Sequence, residues 1–268
     1  MKQVFTVLFC ILCLHCIAAP TRSGVSAMHT RFTAEEDTQP WYVTDGLIAH
    51  FDGIYNVGYG QHDQSTTRWY SLVGDFYWPI TVAYDDCVSF TGSEAVRNQN
   101  GAEASFNVLH DLTLHSVVTT PSSVIWTMQS LIALGRDSFS KNGFVLGGVS
   151  GYGTFQAYWK SAYSGGTAYY VDTGKGANEQ FVLDIVFFYD ELIFDVYIDG
   201  TKVGRRTIAP EVWNLDGKTD IRLRMGANSG ALNDVSGFRL HEVMLYERAL
   251  TEEEIQWNYT LDVGRFGL

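Results

Sequence analysis

The chain has 268 residues, 46% of them hydrophobic and 18% charged, which is enough apolar content for one sizeable core. Its formal charge of −12 and pI near 4.9 produce an average field that repels polyanions, which argues against nucleic acid as a partner. Glycine is abundant, the aromatic fraction is 14%, and helix formers are sparse outside the last segment, a balance that suits an all-β protein with many turns.

Residues 1–18 read as an export signal. Lys2 supplies the positive start, Val4–Ala19 is apolar apart from Thr6 and His15, and Cys16-Ile17-Ala18 offers small residues at the cleavage positions. The run is short for a membrane span, and no later stretch resembles one, so the expectation is a secreted or cell-surface chain with no transmembrane segment after processing. Cys10, Cys13 and Cys16 belong to that segment, which leaves Cys87 without an internal partner and makes the core, not disulfides, the source of stability. Residues 19–40 are polar, with Glu35, Glu36 and Asp37 clustered, and read as a flexible lead-in. A single domain over 41–268 follows.

Gly46–Gly53 (GLIAHFDG) reads as the first core strand, ending in a glycine turn, and a long loop rich in Gly, Asn and Asp runs from it to Trp69. Further short strands are expected at Cys87–Phe90, Ser105–Val108, Leu112–Val118, Val124–Gln129, Phe144–Val149, Phe155–Trp159 and Ala168–Val171, with turn signals between them. Phe181 to Ile208 carries the clearest hairpins. Asp199-Gly200 suits a type I′ turn, which needs positive φ at both central residues. Leu192, Phe194, Val196 and Ile198 share one face at period two and are predicted core.

Ile221–Ala227 leads to the closing segment, Ser236–Gly267. Period two places Phe238, Leu240, Met244 and Tyr246 on one strand face, with Glu242 interrupting it, and Arg239, His241, Val243 and Leu245 on the other. Thr251 is the expected helix N-cap, with Glu254 closing a capping box, Leu250 and Ile255 forming a hydrophobic staple, and Glu252–Glu254 facing the positive end of the helix dipole. Gly264 is the expected C-terminal stop.

The opening AHFDGIYNVGYGQHD…W…LVGD and the closing YERALTEEEI…NYTLDVGRFG resemble the two ends of laminin-G-like jelly-roll domains, in the concanavalin A-like lectin/glucanase superfamily. The resemblance spans roughly residues 46–268 and implies an all-β, two-sheet antiparallel jelly-roll sandwich with a short C-terminal helix. It also implies calcium as the cofactor, for which Asp52, Asp85, Asp86 and Glu242 are the candidate ligands. Glu242 stands out because a carboxylate on an apolar face needs a partner; an arginine or backbone N–H groups would serve as well as a metal.

Glucanases of the superfamily carry E-x-D-x-x-E on a strand. The only E-x-D here, Glu35–Asp37, has Pro40 at the last position and lies in the lead-in. There is no H-E-x-x-H, and Gly148–Gly153 misses the nucleophile-elbow pattern at its end. His110 and His115 would point to opposite faces of an extended strand. In sandwich lectins the ligand lies on the concave sheet or at loop tips. Candidate ligand-binding residues are therefore Tyr152, Tyr158, Trp159 and Tyr163 in the aromatic stretch and Tyr55, His62 and Asp63 in the long loop, with core packing as the plain alternative for the aromatics. Asn258-Tyr259-Thr260 matches a glycosylation sequon but falls on the predicted helix.

The reading that follows is a non-catalytic extracellular module recognising glycan or a cell-surface protein. The alternatives are a divergent glycoside hydrolase or lyase, and a protein-binding adhesion domain.

Overall fold

The computed structural model describes residues 41–90, 94–107, 109–122, 129–135, 143–148, 153–160, 167–211, 213, 220–225 and 238–268. They belong to one compact unit, Thr38–Leu268.

Two large antiparallel sheets are layered face to face, and a small third sheet joins Arg68–Tyr70, Phe76–Pro79 and Arg97–Asn98. The larger runs, edge to edge, through Thr201–Thr207, Ile193–Ile198, Gln180–Phe188, Leu112–Thr119, Arg239–Tyr246, Val88–Ser89 and Val82–Ala83, with Leu47–Asp52 also pairing to Arg239–Tyr246. The second runs through Ala168–Asp172, Phe155–Lys160, Gly143–Gly148, Gln129–Gly135, Asp220–Met225 and Glu94–Ala95, with Phe106–Asn107 also pairing to Asp220–Met225. Phe144 of the second sheet meets Phe187 and Phe194 of the first at ring centroids of 5.1 and 5.4 Å, tying the layers together. Each such fully buried aromatic contributes roughly 1.5–3 kcal/mol of transfer free energy. Phe194, Val196 and Ile198 line this core as their spacing predicts. The jelly-roll sandwich is thus the observed fold, and no helix among the described residues is long and apolar enough to cross a membrane.

Local sequence accounts for the connections. Asp199 and Gly200 adopt φ of 51° and 72°, the mirror-image turn that matches the twist of the flanking strands. The helix α1 spans Glu252–Phe266; Thr251 caps it, and the capping box with Glu254 is complete. Leu250 and Ile255 are both buried in one cluster with Tyr246 and Met244. The helix continues past Gly264 and ends at Gly267, whose φ of 69° is the left-handed C-cap. The extra turn buries Phe266 against Val117 and Val182, a gain that outweighs one helical glycine.

The closing strand departs from simple alternation. Its register shifts between Leu240 and Glu242, a bulge. Leu240 packs in the main core with Phe238, Val243 and Leu245, while Met244 and Tyr246 turn to α1. The extra residue at the bulge reverses the alternation, so Phe238 and Leu240 do not share a face with Met244 and Tyr246. The larger sheet is therefore covered twice, by the second sheet and by α1.

Candidate functional site

Between the larger sheet and α1 lies a buried polar cluster. His50 and Asp52, two apart on the first strand, point to the same side. Glu242 comes from the bulged strand, His115 from the strand beside it and Asp184 from the next one along, and Asp262 and Arg265 come from α1, one turn apart. His50, Asp52, His115, Asp184, Glu242 and Asp262 are all 0% exposed.

The cluster has two lobes that share Glu242. In the first, His50 Nε2 lies 2.7 Å from Glu242 Oε1, and the Arg265 guanidinium donates to Glu242 Oε1 at 3.2 Å and to Asp52 Oδ2. Asp52 Oδ1 accepts from the backbone N–H groups of Ile54 and Tyr55 at 2.8 and 3.2 Å. In the second, His115 Nδ1 lies 2.7 Å from Asp184 Oδ1, and His115 Nε2 lies 3.0 Å from Asp262 Oδ2 and 3.9 Å from Glu242 Oε2. The Tyr42 hydroxyl donates to Asp262 Oδ1 at 2.7 Å and accepts from Arg265 at 3.0 Å.

Four carboxylates face one arginine and two imidazoles in this buried cluster. Burial, and then Glu242, push the Asp52 carboxyl above its ordinary range, against the pull of Arg265. Burial and Asp262 do the same to Glu242 against His50 and Arg265. Burial disfavours the imidazolium of His115, but Asp184 and Asp262 outweigh it and hold its pKa well above the usual value. Burial likewise opposes the Arg265 charge, and Asp52 and Glu242 more than restore it.

The four candidate calcium ligands do not converge. Asp52 and Glu242 meet through Arg265, a cation that already occupies the place between them. Asp86 lies instead in a separate group with Cys87 and His241, its carboxylate 3.3 Å from His241 Nδ1, and Asp85 accepts from Gln64. Calcium seeks six to eight oxygens, and these residues do not offer a common shell. Cys87 is buried and free, and burial followed by Asp86 pushes its thiol up to about 12, so it packs as a small apolar residue.

The ligand-binding candidates separate by exposure. Tyr158 and Trp159 are 0% exposed and belong to the interior, Trp159 stacking on Trp213; neither ring is open to a ligand at the surface. Tyr152 and Tyr163 lie outside the described residues. Tyr55, His62 and Asp63 lie on the loop that borders the buried cluster. Tyr59, at 5.3 Å from Tyr55 and 5.2 Å from Trp41, joins them in a row of half-buried rings. The row extends to Trp257 of α1, 47% exposed, whose indole donates to the Trp41 carbonyl at 2.9 Å. Buried Asn56 braces the loop through two bonds to the Asp63 backbone, at 2.8 and 3.0 Å. His62 and Asp63 stand exposed at its edge. Arg265 underlies Tyr55, 5.6 Å from its ring centroid, so the rim and the buried cluster adjoin.

The layered sheets and the helical clasp define a two-sheet antiparallel jelly-roll domain. Residues 91–256, more than half of the chain, match the family model of the concanavalin A-like lectin/glucanases superfamily, and the chain belongs to that superfamily. No curated protein sequence matches. Among solved structures it is similar to Trypanosoma rangeli sialidase in complex with sialic acid, at 16% identity and a TM-score of 0.57 over 87% of this chain and 36% of that one. It is also similar to the ligand binding domain of botulinum neurotoxin serotype D in complex with N-acetylneuraminic acid, at 11% identity and a TM-score of 0.56 over 82% of this chain and 52% of that one. The chain thus spans about a third of the sialidase and half of the toxin domain, and the likeness is one of fold.

Proposed function

We propose that this chain is an extracellular, non-catalytic carbohydrate-recognition module, bearing its ligand on the rim formed by Trp41, Tyr55 and Tyr59 with Trp257 beside it. The observation that carries the reading is this row of partly exposed aromatic rings bordered by exposed His62 and Asp63: flat rings stack on the apolar faces of sugars while neighbouring polar groups bond hydroxyls. The export signal read in residues 1–18 supports a location outside the cell, where glycans and the proteins that carry them are the available surface.

The closely set carboxylates argue against hydrolysis. Cleaving a glycosidic bond needs two carboxyl groups flanking an open cleft, and Asp52, Glu242, Asp184 and Asp262 are sealed beneath α1. Sialylated glycans are the first probes, because both similar structures were solved with sialic acid. Glycan-array binding by the purified chain, repeated with Tyr59→Ala, tests the proposal. Selective binding that weakens in the variant is expected, and absence of binding to every glycan presented would reject it.

A further inference from the structure

The second lobe of the buried cluster has a feature that packing alone does not require. Three side-chain atoms, His115 Nε2, Glu242 Oε2 and Asp262 Oδ2, are fully buried and gathered together, and although Nε2 faces Asp262 Oδ2 as an ion-pair partner, none of the three makes a well-aligned hydrogen bond. All lie within 4.8 Å of one another, and His115 Nε2 is 3.0 Å from Asp262 Oδ2 and 3.9 Å from Glu242 Oε2. Buried polar atoms are ordinarily paired, and leaving one unmade costs about 1–3 kcal/mol, more when it carries charge.

We propose that His115, Glu242 and Asp262 bind a divalent transition-metal ion of the zinc class between the larger sheet and α1. The donor set is one imidazole nitrogen and two carboxylate oxygens, which suits zinc and its first-row neighbours and not calcium, which takes oxygen alone. An ion about 2.0–2.2 Å from each donor requires donor pairs no more than about 4.4 Å apart; the two distances from His115 satisfy that, and the two carboxylate oxygens lie within 4.8 Å of each other, so a small shift of one of them closes the shell.

The surrounding groups are arranged to support the ligands. Asp184 holds His115 through Nδ1, leaving Nε2 as the metal-facing nitrogen. His50 engages the other oxygen of Glu242, and Tyr42 the other oxygen of Asp262. The neighbouring lobe is different, because Arg265 already fills the cation position between Asp52 and Glu242. Since Asp262 comes from the helix and His115 and Glu242 from strands, the ion would fasten α1 to the sheet.

The full chain, purified without a metal-binding tag, is analysed for metal by mass spectrometry, then stripped with a chelator and titrated with zinc and with cobalt. The expected result is about one ion per chain, a visible ligand-field band with cobalt, and a thermal midpoint that rises on zinc addition. His115→Gln and Asp262→Asn should lose the ion and the midpoint rise. Asp52→Asn, whose side chain pairs with Arg265, should keep both while losing basal stability, which separates loss of a ligand from loss of fold. A folded wild-type chain that takes up no zinc, cobalt or manganese overturns the proposal, as does binding that survives both ligand variants. Neither result bears on glycan recognition at the rim, which rests on other residues.

Discussion

Arg265 and Asp52 lie 213 positions apart and meet as an ion pair beneath the C-terminal helix. The pair joins the last turn of the helix to the first core strand, and Glu242 makes it a triad. Removing one partner from such a pair strands a charge away from water. Arg265→Met should cost about 3 kcal/mol, the lower end of the range for buried pairs because the arginine keeps some exposure. Asp52→Asn placed on top of Arg265→Met should cost less than it does alone, and urea unfolding of the four proteins in the cycle measures that coupling.

Asn258 sits in a sequon but is 0% exposed. Its amide donates to the Tyr246 hydroxyl at 3.0 Å, and its carbonyl oxygen accepts from the Val43 N–H at 3.1 Å. A glycan on that nitrogen would displace α1. Protein from a glycosylating host should therefore carry no mass addition on the Asn258 peptide, and Asn258→Ala should lose about 1–3 kcal/mol through the groups it leaves unpaired.

Thr251 accepts from Glu254 N at 3.2 Å, and the Glu254 carboxylate accepts from Thr251 N at 2.9 Å. Thr251→Ala should destabilise the domain by about 1 kcal/mol, read as a lowered urea midpoint with an unchanged slope.

Asp195 provides a pH handle remote from the buried cluster. Burial raises its pKa, but bonds from Arg205 at 2.6 Å and Lys202 at 2.6 Å prevail and leave it below the ordinary value. The unfolded chain then binds the proton more tightly than the folded one. The stabilisation is fully present above the unfolded value of about 3.9 and is lost as pH falls through the lower folded one. Urea midpoints taken from about pH 6 down to pH 2 should fall less steeply in Asp195→Asn than in the parent.

At the rim, Tyr59→Ala should weaken glycan binding about tenfold, the equivalent of about 1.4 kcal/mol, while leaving the thermal midpoint nearly unchanged. Trp159→Ala should do the reverse. It opens a cavity in the interior, costs about 3–5 kcal/mol and leaves any glycan preference of the folded fraction intact.

The sequence discloses the parts of the fold that are encoded locally. Asp199-Gly200 turns as its φ requirement dictates, and Thr251 with Glu254 starts the helix where the capping pattern stands. The bulge at Leu240–Glu242 is not local: two-residue alternation runs through it, and only pairing with the neighbouring strand shifts the register. Gly264 failed as a stop because Phe266 has somewhere to go, and that depends on Val117 and Val182. Glu242 is legible as a lone carboxylate on an apolar face, and Asp52 as a candidate ligand in a glycine turn. Their partners are not, since His115, Asp184, Asp262 and Arg265 arrive from strands and a helix far apart in the chain. Two signals were nonetheless present. Asp184 is the sole charge in the strand QFVLDIVFF, and Asn258, Asp262 and Arg265 recur at helical spacing along one face of α1.

The helix docks against strands made as early as residue 47, and it is the last element of the domain to be synthesised. Until residue 266 clears the ribosome, Asp52, Asp184 and Glu242 have no Arg265 to answer them, and the outer face of the larger sheet is bare. In the nascent chain that face, with Met244, Tyr246, Val117 and Val182 beside the carboxylates, stays open to water until the helix closes over it.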